Sequence, residues 1–226
     1  MNLADVRDEL EYESKWRQNE LLNLHNLLMH IPGEEEKRVY RKALITMLYA
    51  HFEGFCKSAL RIYVRAINEE KLACSKVNEC IAASSLVDLF QAIDDPNKDC
   101  DFFTIASPYK NTKRFFRHHY FIMELNNLLK NEVNLSQEIL NTDSNLKIHV
   151  LGKILYELGL SYNLFDSHIG TISNLVDRRN YYAHGENVSG IDEKSYLILF
   201  ESTHTIMSEL KNILFESLKN KSYLKT

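Results

Sequence analysis

The sequence is poor in the residues that interrupt helices. Its 226 residues include only 3 prolines and 7 glycines, and leucine, glutamate, lysine, asparagine and isoleucine dominate the rest. Proline and glycine are the strongest breakers of regular structure, whereas long unbranched side chains lose little freedom in a helix. No segment of any length alternates apolar and polar residues as half-buried strands do. The composition therefore predicts an all-α protein.

Long hydrophobic runs are also missing. No apolar run approaches the roughly 18 to 20 residues that a helix needs to span a bilayer. The first five residues lack a basic segment followed by an apolar core, so we expect no secretory signal. The net charge of −4 argues against a protein that coats nucleic acid along its whole surface, although it leaves room for a local basic groove. We expect a soluble, cytoplasmic protein without a membrane partner.

Motifs for metals and organic cofactors are absent as well. The four cysteines form no C-x-x-C pair, and no histidine follows them at zinc-finger spacing: Cys56, Cys74, Cys80 and Cys100. We expect them to be free thiols that behave as small apolar residues. There is no H-E-x-x-H, P-loop, G-x-G-x-x-G or nucleophile elbow. An enzyme with this sequence is therefore expected to work with no metal site and no cofactor.

Apolar residues at helical spacing are the main pattern that is present. The clearest stripe runs through residues 35–70, where apolar side chains recur at steps of three and four. Further helices are predicted for residues 3–30, 84–93, 113–131, 146–158, 165–182 and 192–219. Residues 94–112 begin with a proline-containing break and have no clear period, so we predict an irregular insertion there. The whole chain, residues 1–226, is predicted to form a single helical-bundle domain.

Residues 177–186, DRRNYYAHGE, form the most informative segment. Arginine binds phosphate oxygens through a planar fork of donors, and histidine exchanges a proton near neutral pH. Arg179, Asn180 and His184 together therefore suit chemistry on a phosphodiester. A second interpretation is structural, because arginines near the end of a helix are favoured by its dipole and a histidine there can serve as a cap.

The spacing of the motif raises a geometric problem. On an ideal helix Asn180 and His184 share a face, whereas Arg179 and His184 lie about 140° apart. Arg179 and His184 can act on one phosphate if the helix unwinds before Gly185. They can also do so if a second copy brings its own motif across a two-fold axis. The motif therefore makes a homodimeric site plausible.

Two other segments carry polar side chains at helical spacing. Tyr49, Glu53 and Lys57 recur every four residues and predict one polar ridge on the long second helix. Glu53 either forms an ion pair on a solvated face, or it lines the cleft and orients the arginine or histidine of the motif. Basic and aromatic residues alternate over residues 110–121, with the cations Lys110, Lys113, Arg114 and Arg117. That composition is typical of proteins that bind unpaired RNA through backbone charge and base stacking. It also fits a helix whose aromatic side chains are buried in the core and whose outer face is basic.

Three of these segments together resemble the HEPN superfamily (higher eukaryotes and prokaryotes nucleotide-binding), most closely its prokaryotic RiboL-PSP-type branch. The matching segments are residues 50–57 on the second helix, Asn145 with Leu146 at the start of a later helix, and residues 176–186. The last fits the R-x4–6-H signature of the superfamily. The resemblance implies an α-helical homodimer and, in many members, metal-independent endoribonuclease activity. Such members often act as toxins or in defence against phage.

The resemblance assigns roles to individual residues. Arg179 matches the motif arginine, Asn180 the polar residue after it, and His184 the motif histidine. Arg178 also satisfies the looser spacing, so the choice between the two arginines stays open. One toxin branch has a tyrosine two residues after the histidine that accepts a nucleotidyl group. This chain has Glu186 there, so we do not expect that modification.

These assignments predict an endoribonuclease in which the ribose 2′-OH attacks its own adjacent phosphate. His184 would move the proton, Arg179 would stabilise charge on the nonbridging oxygens, and Asn180 would hold His184 or a phosphate oxygen. The expected partners are an RNA substrate, a second copy of the chain, and a cognate antitoxin or defence-system protein. The alternative is a noncatalytic HEPN module that dimerises and binds RNA, a nucleotide or a partner protein.

Overall fold

The chain folds mostly into α-helices. The computed structural model describes residues 2–95, 97–98, 100–103, 112–142, 145–185 and 190–225. These residues form no β-strand, and their eight α-helices are α1 (Leu3–Asn26), α2 (Glu34–Glu69), α3 (Glu79–Ser85), α4 (Val87–Asp94), α5 (Lys113–Leu128), α6 (Ile148–Glu157), α7 (Ile169–Ala183) and α8 (Glu193–Lys219). The prediction of an all-α bundle is confirmed.

Helix α2 lies at the centre of the bundle. It begins after the Ile31-Pro32-Gly33 break. Three glutamates in its first turn stabilise the helix, because their negative charge interacts favourably with the positive end of the helix dipole. Its apolar stripe is fully buried, including Leu48, Phe52 and Phe55. Helices α1, α7 and α8 pack around α2, so the core runs along most of its length. None of the described helices combines the length and the apolar character that crossing a bilayer requires.

The predicted helix over residues 84–93 is instead two short helices. Helix α3 begins earlier because the side chain of Asn78 accepts a hydrogen bond from the amide of Ile81 (3.0 Å) and caps its first turn. The backbone leaves the helical region at Leu86, between α3 and α4. The hydroxyl of Ser84 donates to the carbonyl of Glu157 at the end of α6 (2.7 Å). Local sequence periodicity cannot predict such a contact between distant segments.

The predicted irregular insertion over residues 94–112 falls partly outside the described residues, which omit 96, 99 and 104–111. Its described residues between 95 and 103 form turns. Arg117, on α5, donates to the backbone carbonyls of Ala92, Asp95 and Lys98, and its guanidinium lies 4.8 Å from the ring centroid of Phe103. Arg117 therefore joins α5 to the end of α4. All four cysteines are free thiols, as predicted.

Candidate functional site

Helix α7 carries the motif, and its sequence explains its position. Ile172, Leu175 and Val176 are buried at helical spacing, so this side of α7 packs into the bundle against α2. The next turns bring the motif residues to the end of α7, with Arg179 and Asn180 partly exposed and His184 exposed. The motif therefore lies where the bundle meets solvent.

The end of α7 stays wound through the motif. The amide of His184 donates to the carbonyl of Asn180 (3.0 Å), so His184 is the C-cap residue of an intact helix. Gly185 follows with φ +69°, the left-handed conformation in which glycine commonly ends a helix. The helix therefore does not unwind before Gly185. On a helix that is wound to this point, residues five apart such as Arg179 and His184 are expected about 140° apart around the axis.

Arg179 is held in a fixed plane. Its Nη1 donates to Oδ1 of Asn145 (3.0 Å) and to Oδ1 of Asn180 (2.9 Å). Its guanidinium carbon lies 5.1 Å from the ring centroid of Tyr49, a cation–π distance. Within the described part of the chain, Nε and Nη2 of Arg179 make no hydrogen bond, and neither is a buried atom without a partner. Nη1 is therefore held in place by hydrogen bonds, whereas Nε and Nη2, on the other edge of the guanidinium, remain open to solvent.

Tyr49 links this arginine to a tight turn. The buried hydroxyl of Tyr49 accepts a hydrogen bond from the amide of Leu146 (2.7 Å). Burial raises the pKa of the Tyr49 phenol, so this side chain is neutral. One residue earlier, the amide of Asn145 donates to the carbonyl of Thr142 (3.0 Å), which closes the turn that presents the Asn145 side chain to Arg179. The segment Asn145-Leu146 therefore lies directly against the motif.

Glu53 supports the same turn from the other side. Its carboxylate accepts a hydrogen bond from Oγ1 of Thr142 (2.8 Å) and pairs with Nζ of Lys57 (2.9 Å). Burial alone would raise the pKa of Glu53, but the hydrogen bonds from Lys57 and Thr142 hold it below its ordinary value. Among the described residues, Glu53 has no ion pair or hydrogen bond with Arg179 or His184. It reaches the motif through the turn and through Tyr49, with which it also interacts, and its proposed supporting role stays a prediction.

The two neighbouring arginines differ in which nitrogens of the guanidinium donate hydrogen bonds. Arg178 donates from Nε to Oδ1 of Asn174 (2.7 Å) and from Nη1 to the hydroxyl of Tyr182 (3.3 Å), both on α7 itself. Its donors are therefore spread over its own helix. Arg179 makes its contacts with one nitrogen and leaves a free edge. This difference leaves Arg179, rather than Arg178, with an unoccupied pair of donors.

His184 presents its imidazole to solvent. Its backbone occupies the C-cap position, so the helix-end interpretation describes its main chain correctly. Within the described residues its ring makes no hydrogen bond or ion pair. Glu186, the departure from the nucleotidyl-accepting tyrosine, lies outside the described residues. A single copy of the chain therefore supplies a fixed guanidinium and a solvent-facing imidazole on different sides of one helix end.

The basic residues predicted to bind RNA lie elsewhere. Lys113 and Arg114 are exposed in the first turn of α5, which packs against α4, whereas Arg179 lies on α7 against α2. The guanidinium of Arg117 is occupied by the carbonyls of Ala92, Asp95 and Lys98, in α4 and in the turns that follow it, so its first role is structural. Lys110 falls outside the described residues. RNA binding by these four residues stays a prediction.

Metal ligands are not clustered in the part of the chain that the structure describes. No three or more histidine, cysteine, aspartate or glutamate side chains there are placed to hold a metal ion. The chemistry that the described site offers is that of a guanidinium, two amides and an imidazole.

Comparison with known proteins adds one finding. A family model described as RiboL-PSP-HEPN matches residues 12–216, from within α1 to the last turn of α8. The matched span contains α2, the Thr142–Asn145 turn and the whole α7 motif. Comparisons with curated proteins and with solved structures gave no match.

Proposed function

The chain belongs to the RiboL-PSP-HEPN family, and from this premise we propose that it is a metal-independent endoribonuclease. The family contains RNase-like and nucleotide-binding modules, so the catalytic assignment depends on the site. The observation that carries it is the Arg179 guanidinium, which is fixed by Asn145, Asn180 and Tyr49 and has one edge open to solvent. A toxin or phage-defence role would follow from uncontrolled cleavage of cellular RNA.

The open edge of Arg179 suits a phosphate. Nε and Nη2 of a guanidinium are parallel donors that match two phosphate oxygens, and such charge-assisted pairs are stronger than neutral hydrogen bonds. Because Asn145 and Asn180 already hold Nη1, the guanidinium need not be ordered when the substrate binds. Donors that are in place before charge develops are the usual means by which enzymes stabilise a transition state.

The proposed reaction is an internal transfer of the phosphoryl group. The ribose 2′-oxygen bonds to phosphorus as the bond from phosphorus to the 5′-oxygen breaks, which leaves a 2′,3′-cyclic phosphate and a 5′-hydroxyl. One proton leaves the 2′-OH and one joins the 5′-oxygen, so no net oxidation or hydrolysis occurs in this step. Histidine suits such transfers because it exchanges protons near neutral pH. His184 is the histidine of this motif, and Arg179 stabilises charge on the nonbridging oxygens.

A second copy of the chain completes the proposed site. Arg179 and His184 diverge on an intact helix, so a phosphate bound to Arg179 is best reached by His184 of another copy. The outer face of α7 is open for such a contact, since Ser173, Asp177 and Tyr181 are exposed at steps of four. Two α7 helices that cross near Tyr181 would bring both motifs into one cleft.

One observation favours a different function, a noncatalytic module that binds RNA or a nucleotide. A catalytic base is usually oriented by a hydrogen bond to a third group. Within the described residues of one copy, the His184 imidazole has no such partner. In that case Arg179 would hold a phosphate while His184 takes no part in chemistry.

The test of the proposed function is cleavage of RNA in the presence of excess EDTA. We expect the purified chain to cut a single-stranded RNA at an unchanged rate with the chelator, because the proposed groups are all side chains. The products should carry 2′,3′-cyclic phosphate and 5′-hydroxyl ends, detected by mass spectrometry. A substrate with one 2′-deoxy nucleotide at the cleavage position should remain intact, and its cleavage would contradict the mechanism.

The two arginines should respond differently to replacement by lysine. We expect Arg179→Lys to lower the cleavage rate by about 10- to 100-fold, because a lysine cannot make the paired contact of a guanidinium, worth about 1.5–3 kcal/mol. Arg178→Lys is the matched control, with the same change one position away on a side chain bound to Asn174 and Tyr182. It should change the rate less than about threefold. Single-turnover kinetics measure both, and a larger loss in Arg178→Lys would exchange their roles.

A further inference from the structure

A cleft of about 890 Å³ opens beside the site, and the proposed function does not yet use it. It lies between α2, α3, α4, α6 and residues 136–142. Small-molecule and cofactor sites usually occupy about 300–1,000 Å³, so a nucleotide fits a cleft of this size. Thr142, which closes the turn against Arg179, lines one end of it.

The cleft is lined by three cations, Lys57, Arg61 and Lys153, and by two acidic residues, Glu138 and Glu157. Nζ of Lys57 is paired with the carboxylate of Glu53 (2.9 Å). Arg61 donates from Nε to the neutral side chain of Gln137 (3.3 Å), so its charge is not compensated by that contact. Lys153 approaches its acidic neighbour Glu157 only to 4.0 Å. Burial raises the pKa of Glu157, and the nearby charge of Lys153 opposes this shift.

An apolar wall faces these cations. Val87 of α4 and Ile139 of the 136–142 segment line the same cleft, together with Leu140. A simple inorganic anion needs no such wall. A nucleotide does, because its phosphate is charged while its base has a flat apolar face that packs against hydrophobic or aromatic side chains. The cleft therefore combines the two kinds of contact that a nucleotide makes.

The cleft is continuous with the Arg179 site along the chain. Thr142 lines the cleft and Asn145 binds Arg179, and the hydrogen bond between their backbones (3.0 Å) closes a tight turn. Residues that close a β-turn have Cα atoms within about 7 Å of each other. The anchor of Arg179 and one lining residue of the cleft therefore belong to the same turn.

We propose that this cleft binds the nucleotide adjacent to the scissile phosphate, and that the substrate is RNA unpaired at this position. Arg61 and Lys153 contact the phosphate of that nucleotide, and Val87 and Ile139 pack against its base. The inference rests on the proposed ribonuclease function for the identity of the strand. A base in a duplex cannot enter, because the cleft receives the base together with its phosphate.

The test measures RNA binding separately from cleavage. A fluorescently labelled single-stranded RNA with 2′-O-methyl groups at every position cannot be cut, and its anisotropy reports affinity at several salt concentrations. The double variant Arg61→Gln, Lys153→Gln should bind at least 10-fold more weakly. Its salt slope should fall by about 0.7, the value for losing the contact with one phosphate of a single strand. The same duplexed RNA should bind the wild type more weakly than the single strand does.

The matched control removes two charges away from the cleft. Arg65→Gln, Lys194→Gln changes an arginine one turn further along α2, where it pairs with Glu9, and an exposed lysine on α8. Its affinity and salt slope should stay those of the wild type. The single variant Arg61→Gln, which alters one exposed side chain, gives a second measurement if the double variant folds poorly.

Three outcomes would overturn the proposal. The first is an unchanged affinity and salt slope in the double variant. The second is equal binding of duplex and single-stranded RNA. The third is AMP that displaces the RNA at a concentration near its own dissociation constant, because the cleft would then be a site for a free nucleotide. Cleavage that persists in a double variant with normal binding removes the cleft proposal but leaves the ribonuclease proposal standing. If the wild type binds single-stranded RNA through the cleft but never cleaves it, the ribonuclease proposal falls and the cleft proposal stands.

Discussion

Replacing His184 with alanine is expected to lower the rate of RNA cleavage by about 10²- to 10⁴-fold, the usual contribution of a positioned acid or base. The His184 side chain is exposed and makes no hydrogen bond or ion pair with a described residue, so its loss should leave the fold intact. It should also leave RNA binding nearly unchanged, because Arg179 and its anchors remain. Single-turnover cleavage at saturating enzyme measures the chemical step directly.

His30→Ala is the matched control for this change. His30 is exposed in the short 3-10 turn after α1 and lies outside the motif, so its replacement should not alter the rate. Thermal melting followed by circular dichroism should give the same midpoint for both variants and the wild type. Undiminished cleavage by His184→Ala would remove His184 from the mechanism. A wild type that binds RNA but never cuts it would favour the noncatalytic module.

The helices could be predicted from the sequence because their signals are local. The apolar stripe of α2 and the break at Pro32 place this helix within one residue of its observed start at Glu34. Helix α5 ends at Leu128, three residues before its predicted end, because the chain after it pairs with residues 72–75. Val133 donates to the carbonyl of Leu72 there (2.8 Å), and no local pattern records such a contact.

The site could be predicted only in part. Arg179, Asn180 and His184 stand within six residues, so a short motif identifies them. Tyr49 looked like one member of a polar ridge, but it is buried under Arg179 and fixes the turn that carries Asn145. These residues lie about 35 and 130 positions from Arg179 in sequence and meet only because α2 and α7 pack together. Their roles therefore required the tertiary structure.

The same packing makes a strong prediction about how two copies share the chemistry. If each site takes Arg179 from one copy and His184 from the other, neither single variant should cleave RNA alone. In a mixed dimer of Arg179→Ala and His184→Ala, one site contains both substitutions and the other contains none. Random mixing makes about half of the dimers mixed, and each has one intact site of two, so activity should return to about one quarter of the wild type.

The measurement is the cleavage rate after the two inactive variants are co-expressed, or unfolded together and refolded. Refolding each variant alone controls for recovery that does not depend on the partner. In a second control, Arg179→Ala is mixed with the double variant His30→Ala, Arg179→Ala. Every copy in that mixture lacks Arg179, so its activity should not exceed background. Recovery well above background would require Arg179 and His184 to come from different copies, because an intact α7 turns them about 140° apart within one copy. If the mixture stays inactive while native mass spectrometry detects mixed dimers, both residues must act from one chain, and α7 would have to unwind after all when RNA binds.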